Sequence, residues 1–186
     1  SSLSAEENNY WGAQIVDKEI DRLFINDSTI VGYRAPLDAV TIPKGVKEIP
    51  RNVFLNCTSL TSITIGNDVT HIAREAFRGC TALEKVVILD GVTTIDRDAF
   101  IYCTGLKEVS IGNGVKSIGR WVFSGCTALE KVTLGNGVTS IGSEAFEDCV
   151  SLPAIVLPDS ITTIESSLFF GCSSLKEITS PNSVTS

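Results

Sequence analysis

The stretch "EAFRGCTALEKV", residues 75–86, returns along the chain at a fixed interval. It recurs as "DAFIYCTGLKEV" at 98–109, "WVFSGCTALEKV" at 121–132 and "EAFEDCVSLPAI" at 144–155, each 23 residues after the one before. A period of about 20–50 residues is the mark of a repeat architecture, in which each unit buries its apolar face only against its neighbours. The sequence therefore predicts a solenoid rather than a globular domain with one irregular core.

Aligned at this period, the repeats share apolar columns. A Leu is followed three and five residues later by branched aliphatic residues, as in "LEKVVI" at 83–88, and this alternation predicts a short half-buried strand. A turn of Gly, Asn, Asp or Pro follows the strand, and the "EAF" or "DAF" segment after it predicts one helical or 3₁₀ turn. The recurring aromatic column is Phe54, Phe77, Phe100, Phe123, Phe146 and Phe169.

These columns predict two regions. Residues 37–186 form an α/β solenoid of six to seven 23-residue repeats, the last one incomplete. We expect a right-handed superhelix with a parallel concave sheet and short helical or 3₁₀ segments opposite. Residues 1–36 lack the repeat, and "RLFINDSTIVGY" within them predicts a β-hairpin around residues 26–28. We expect this hairpin to cap the first repeat, sealed by Trp11, Phe24 and Ile30.

The repeats "IPKGVKEIPRNVFLNCTSLTSITI" at 42–65 and "LGNGVTSIGSEAFEDCVSLPAIVL" at 134–157 resemble the BspA-like, or Treponema pallidum-type, leucine-rich-repeat family. The shared motif covers about residues 37–186. This resemblance implies a secreted or cell-surface protein of bacteria or certain protozoa. Some members of the family are adhesins for host matrix proteins such as fibronectin and fibrinogen, so the resemblance implies an extracellular module that binds a matrix or host-surface protein.

The composition of the chain limits the classes of partner that it can bind. The net charge of -7 and the pI near 4.7 argue against nucleic acid or an anionic membrane as the main partner, because both reward clustered Lys and Arg. No run of about 18 apolar residues is present, so we expect no direct membrane span. The chain contains no Met, even at its start, and we expect it to be a mature or excised part of a longer product.

The cysteines recur at the same 23-residue interval as the repeat. A regular spacing predicts one local task in every repeat: a small buried filler whose S–H reaches a turn carbonyl. Disulfides between adjacent repeats are the less favoured alternative, because Cβ atoms about 4.8 Å apart exceed the roughly 3.8 Å that a disulfide prefers. A metal site is disfavoured because the sequence has no C-x-x-C pair. The expected structural ladder, without disulfides, is Cys57, Cys80, Cys103, Cys126, Cys149 and Cys172.

The sequence offers little for catalysis. Its single histidine, His71, stands in a column that otherwise holds Glu, Thr and Ser, which predicts a solvated face rather than a dyad with Cys80. The glycine-containing turns precede no long helix, so they are weak candidates for a phosphate loop. We expect a protein that is not an enzyme and needs no cofactor.

Three surface features are candidates for recognition. The first is a set of apolar residues at positions that are polar in other repeats, which predicts a patch for a protein partner; its alternative is packing between repeats. This protein patch consists of Ile101, Tyr102, Trp121 and Phe170.

The second feature is the face of the strands, where charges alternate in sign from repeat to repeat around two apolar spots. A self-neutralised scaffold is the alternative to a binding surface here. The residues of this face are Lys85, Val87, Lys107, Glu108, Lys131 and Val156.

The third feature is an arginine ladder, Arg51, Arg74, Arg97 and Arg120, in register one repeat apart. It would suit a sulfated glycan or another polyanion through bidentate contacts, although acidic neighbours also predict a locally compensated network. These features favour a protein-binding module, and the family resemblance implies that it is adhesin-like. A glycan or polyanion binder and a purely structural stalk remain the alternatives.

Overall fold

A computed structural model describes residues 18–180 of the chain. Within that range the repeats stack as a parallel β-solenoid of about seven turns. Most turns contribute a strand of three or four residues to one sheet and a strand of two residues to another. The strands in chain order are β1 (Lys18–Ile20), β2 (Leu23–Asn26), β3 (Thr29–Tyr33), β4 (Ala39–Thr41), β5 (Glu48–Ile49), β6 (Ser62–Ile65), β7 (His71–Ile72), β8 (Lys85–Ile88), β9 (Thr94–Ile95), β10 (Glu108–Ile111), β11 (Ser117–Ile118), β12 (Lys131–Thr133), β13 (Ser140–Ile141), β14 (Ala154–Val156) and β15 (Glu177–Thr179).

The longer strands pair in parallel with a register of one repeat. The order of this sheet is β12-β10-β8-β6-β4, and β14 pairs in parallel with β15 further along the solenoid. Lys85 stands between Ser62 on one side and Glu108 on the other, so each residue lies beside its equivalent in the next repeat. The predicted parallel pairing of these strands is confirmed.

A second parallel sheet, which the sequence did not predict, lies on another side of the solenoid. Its two-residue strands β5, β7, β9, β11 and β13 pair in parallel, and each buries its isoleucine while the residue before it stays at the surface. Two residues are too few to show a period-2 pattern, so the sequence carries no signal for these strands. They carry His71, half-buried in β7 beside Thr94.

The N-terminal strands extend this second sheet. β2 and β3 are antiparallel and are joined by residues 27–28, and β3 pairs in parallel with β5. Ile30 is 1% exposed and joins the core, and the Tyr33 ring stacks on Phe54 at 5.7 Å. Phe24 is also buried, whereas Trp11 lies outside the described residues. The role of these strands as a cap stays a prediction.

The prediction of helical or 3₁₀ segments is wrong for the described residues, because residues 18–180 contain only turns at those places. The N–H of Phe77 donates to the carbonyl of Ala99 in the next repeat at 2.8 Å, so it cannot donate along its own segment as a helix requires. One residue of each segment is also left-handed, which breaks a right-handed helix. These residues, with φ between 58° and 62°, are Asn52, Glu75, Asp98, Trp121, Glu144 and Ser167.

The core contains a column of stacked aromatic rings. Consecutive Phe rings from Phe54 to Phe169 lie 4.8–5.8 Å apart between centroids and are close to parallel. The aliphatic columns of both sheets pack around them.

Within residues 18–180 the structure contains no helix long and apolar enough to cross a membrane.

Replacing Phe100 by alanine tests this core. Its ring is fully buried and lies 4.8 Å from Phe77 and 5.6 Å from Phe123, so Phe100→Ala should lower the free energy of unfolding by about 3–5 kcal/mol. Phe170→Ala is the matched control, because that ring is 64% exposed and its loss should change stability by no more than about 0.5 kcal/mol. Urea unfolding followed by circular dichroism measures both, and equal losses would contradict the proposed core.

Candidate functional site

The structure brings Ile101, Tyr102 and Trp121 together at one shallow cavity of about 460 Å³. The three residues come from two adjacent turns of the solenoid, at the segments that link the second sheet to the longer strands. Tyr102 is 49% exposed and Trp121 is half-buried. The cavity is also lined by Arg78, Asp98, Ser124, Glu144 and Glu147.

Two members of the predicted protein patch sit differently from the expectation. Ile101 is only 7% exposed, so it lines the cavity as a buried residue rather than forming part of an exposed patch. Phe170 is 64% exposed but does not line the cavity. It occupies the same column as Ile101 three repeats further on, which at about 4.8 Å per turn places it roughly 14 Å away.

Trp121 is held by two contacts, and a third contact joins its two partners to each other. The guanidinium of Arg120 lies 3.8 Å from the centroid of the indole, and the indole Nε1 donates to a carboxylate oxygen of Glu144. Arg120 Nη2 binds the other oxygen of Glu144 at 3.0 Å. The ring is therefore fixed between a cation and a carboxylate, and little rotamer freedom remains to be lost when a partner binds.

The backbone at both aromatic residues is left-handed, with φ of 61° at Trp121 and 60° at Tyr102. Gly79 and Gly125 occupy the position of Tyr102 in the adjacent repeats and have φ of 71° and 73°. A bulky residue in this conformation costs on the order of 1–3 kcal/mol. Two neighbouring turns thus place large aromatic side chains where the backbone favours Gly or Asn.

The carboxylates of the cavity are in unequal surroundings. Glu147 Oε2 accepts a hydrogen bond from the Ser124 hydroxyl at 2.9 Å. Asp98 is 7% exposed and lies 3.8 Å from Arg74 Nε, and burial raises the pKa of its carboxyl. Arg78 Nη1 binds Glu75 at 3.2 Å, and its guanidinium lies 5.6 Å from the Tyr102 ring centroid. The cavity therefore combines aromatic rings, one lining arginine and three carboxylates.

The arginine ladder is only partly available to an anion. Arg74 binds Glu75 at 3.1 Å as well as Asp98, and Arg120 binds Glu144. Arg51 and Arg97 are exposed and form no ion pair within residues 18–180. Alternate members of the ladder are thus compensated by neighbouring carboxylates.

The charged residues of the strand face alternate in sign from one repeat to the next. Lys85, Glu108 and Lys131 are direct neighbours across β8, β10 and β12, and Lys131 Nζ lies 4.0 Å from Glu108 Oε1. Such an exposed pair contributes only about 0.2–1 kcal/mol. Lys107 is exposed just before β10. Val87 is half-buried in β8, whereas Val156 is 62% exposed in β14.

The cysteines are free thiols in a regular ladder. The Sγ of Cys80 donates to the Phe54 carbonyl at 3.1 Å, and the backbone N–H of Cys57 donates to the same oxygen at 3.0 Å. The carbonyl thus receives two hydrogen bonds, one from its own turn and one from the next. The Sγ atoms of Cys103, Cys126, Cys149 and Cys172 donate in the same way to Phe77, Phe100, Phe123 and Phe146.

Burial keeps the thiols of Cys103 and Cys126 protonated. It raises the pKa of Cys126 to about 12 and holds the pKa of Cys103 well above its usual range. A thiolate is the reactive form of cysteine, so neither side chain is suited to nucleophilic chemistry. No group of His, Cys, Asp and Glu side chains among the described residues is arranged to hold a metal ion.

Sequence reasoning found the aromatic residues of the cavity but missed its polar ones. Ser124 and Glu147 follow Ile101 in one column at intervals of 23 residues, so a search along that column would have placed them beside it. Glu144 stands one repeat after Trp121 in the same way. These polar residues could have been found because they stand one or two repeats after Ile101 or Trp121 in the same columns; no sequence motif marks them.

The chain is similar to a known repeat family. The family model described as BspA type Leucine rich repeat region (6 copies) matches residues 28–120 and 93–186. The crystal structure of a leucine-rich-repeat protein of T. pallidum (TpLRR) is similar at 35% identity and a TM-score of 0.77, over 81% of this chain and 73% of that one. None of the curated proteins shows a significant match.

Two further bacterial crystal structures have the same fold. A leucine-rich-repeat protein from Eubacterium ventriosum ATCC 27560 is 30% identical with a TM-score of 0.80, over 88% of this chain and 45% of that one. A leucine-rich-repeat protein from Bacteroides ovatus ATCC 8483 is 29% identical with a TM-score of 0.61, over 90% and 54%. The chain thus spans about half of these two relatives.

The thiol ladder makes a simple chemical prediction. In the native protein Cys57, Cys80, Cys103, Cys126 and Cys149 should not react with Ellman's reagent, because they are buried, whereas the half-buried Cys172 should react slowly. All six should react in denaturant. Cys172→Ala should abolish the native reaction without changing the protection of the others, and rapid native reaction of two or more thiols would contradict the ladder.

Proposed function

The chain belongs to the BspA-type leucine-rich-repeat family, and from this premise we propose that it is an extracellular, adhesin-like module that binds a protein of a host matrix or cell surface. Repeat proteins of this type are generally protein-interaction modules, and no catalytic family is indicated for the chain. A stack of turns supplies a long surface on which single residues can depart from the repeat without disturbing the core.

The observation that carries this proposal is the aromatic pair at the cavity. Tyr102 and Trp121 hold large rings at the surface in a left-handed backbone that other repeats fill with Gly, Asn, Asp, Glu or Ser. Strained residues persist where the surrounding structure over-determines them, and they cluster at functional sites. Trp and Tyr are also the residues most enriched among binding hot spots. The pair therefore favours a protein partner that covers this cavity.

The second candidate is a glycan or polyanion binder, and it is supported by Arg51 and Arg97. Both are exposed and have no ion pair among the described residues. They are two repeats apart, about 10 Å, and Arg74 between them already binds carboxylates. This spacing favours the protein-binding proposal over the polyanion one. A structural stalk is the third candidate and requires no binding at all.

We also propose that the N-terminal strands cap the solenoid. Leu23, Ile25 and Ile30 place their side chains in the core, and Tyr33 extends the aromatic column beyond Phe54. These contacts support a cap because the first turn of a solenoid otherwise exposes its apolar interior.

A binding panel tests the proposed function. Immobilised fibronectin, fibrinogen, collagen, mucin and heparin are probed with the purified chain at about 0.15 M and about 1 M salt, where long-range charge effects are screened. We expect saturable binding to a matrix protein that survives high salt, since ring burial does not depend on ionic strength. Trp121→Asn should weaken it about 10- to 30-fold, as the loss of a hot spot does.

Two variants serve as controls in this panel. Trp121→Asn suits the left-handed backbone, as Asn52 shows, so the fold should survive. Phe170→Asn removes an exposed aromatic ring outside the cavity and should leave binding unchanged. Binding to heparin alone, lost in salt and in Arg51→Ala with Arg97→Ala, would replace the proposal by a polyanion binder. If the chain binds no member of the panel, a purely structural stalk is favoured.

A further inference from the structure

We propose that the cavity between Tyr102 and Trp121 receives a basic side chain, lysine or arginine, of the protein partner, with Glu147 as its counter-ion. This inference rests on the proposed function and adds the chemistry of the bound group. It assigns a role to the polar residues of the cavity, which the aromatic pair alone does not explain.

The charges around the cavity leave one carboxylate uncompensated. Glu144 is paired with Arg120 and accepts the Trp121 indole N–H, and Asp98 lies near Arg74. Glu147 differs: its only hydrogen-bond partner among the described side chains is the neutral Ser124 hydroxyl on Oε2, and it forms no ion pair there. A half-buried carboxylate that lines a cavity and has no ion-pair partner among the described residues favours a cationic ligand.

The aromatic residues suit the same ligand. The chain already stacks guanidinium groups on both rings, Arg120 on Trp121 at 3.8 Å and Arg78 over Tyr102 at 5.6 Å. Such contacts are attractive because the ring face is negative. The Arg78 contact is the looser one, and its side chain is 43% exposed. An incoming basic side chain can therefore lie along Tyr102 while its charged end reaches Glu147.

The size of the cavity and the net charge of the chain are consistent with a basic side chain as the bound group. A cavity of about 460 Å³ lies toward the small end of the range of about 300–1,000 Å³ for ligand pockets, so it suits one side chain better than a folded element. The chain carries a net charge of -7, which steers basic partners toward it. A neutral sugar could also stack on the rings, but it would leave the charge of Glu147 unmatched.

The test uses short peptides as probes of the full chain. The capped peptides acetyl-GGRGG-amide and acetyl-GGKGG-amide are titrated while NMR follows the Trp121 indole N–H, identified by its absence in Trp121→Asn. We expect saturable shifts with both. Peptides with Glu or Gln at the centre, and N-acetylglucosamine as a neutral sugar, should give none. Shifts with the sugar or the Glu peptide instead would overturn the inference.

Two substitutions that should change the Kd in opposite directions make the test more specific. Glu147→Gln should raise the Kd of the Arg peptide about fivefold, whereas Arg78→Gln should lower it, because Arg78 repels the incoming cation. Glu130→Gln changes an exposed carboxylate that does not line the cavity, makes the same charge change and should have no effect. Equal effects of Glu147→Gln and Glu130→Gln, or weaker binding in Arg78→Gln, would overturn the inference.

Different results would contradict the inference and the proposed function. A matrix protein whose binding is lost in Trp121→Asn but unchanged in Glu147→Gln would keep the function and overturn the basic side chain as the bound group. Saturable, Glu147-dependent binding of the Arg peptide without binding to any protein of the panel would support the inference and overturn the proposed host-matrix partner.

Discussion

The backbone hydrogen bonds between successive turns are the constraint on which this structure depends. The N–H of Glu84 donates to Thr61 in the turn before it, and the N–H of Phe77 donates to Ala99 in the turn after it. Both ladders are satisfied only if every repeat has the same length, since a one-residue slip moves buried side chains to the surface. The stacking is so close that a Cβ at Gly114 would overlap the carbonyl of Asp90 in the preceding turn.

Because every turn must repeat its buried face, specificity resides in the exceptions at the surface. Along the strand face the charges offset one another, as Lys131 and Glu108 do, and much of the arginine ladder is likewise compensated. The cavity at Trp121 is different. It combines strained aromatic residues with Glu147, a carboxylate that lacks a cation among the described residues. A scaffold whose strand face and arginine ladder are largely compensated by local charge pairs thus presents one place where a ligand of defined charge gains both ring contacts and an ion pair.

The period of 23 residues was sufficient to predict the longer parallel strands and the aromatic column, because a stacked core needs like residues such as Phe100 in every turn. It could not predict the absence of helical segments: the left-handed position holds Glu75 in one repeat and Trp121 in another, and neither residue signals that conformation. The aromatic members of the cavity were predictable as departures from the repeat. The burial of Ile101 and the place of Glu147 depend on side-chain directions between adjacent turns, which spacing alone does not determine.

Deleting one repeat length tests the central claim most directly. Removal of residues 104–126 takes out 23 residues and joins Cys103 to Thr127, so that Phe100 stacks on Phe146 and both hydrogen-bond ladders close again. Removal of residues 105–126, one residue fewer, breaks the register. We predict that circular dichroism shows a folded β-protein with cooperative thermal unfolding for the first deletion and loss of that transition for the second. If both deletions fold equally well, or both fail to fold, stacking in register is not what holds the chain together.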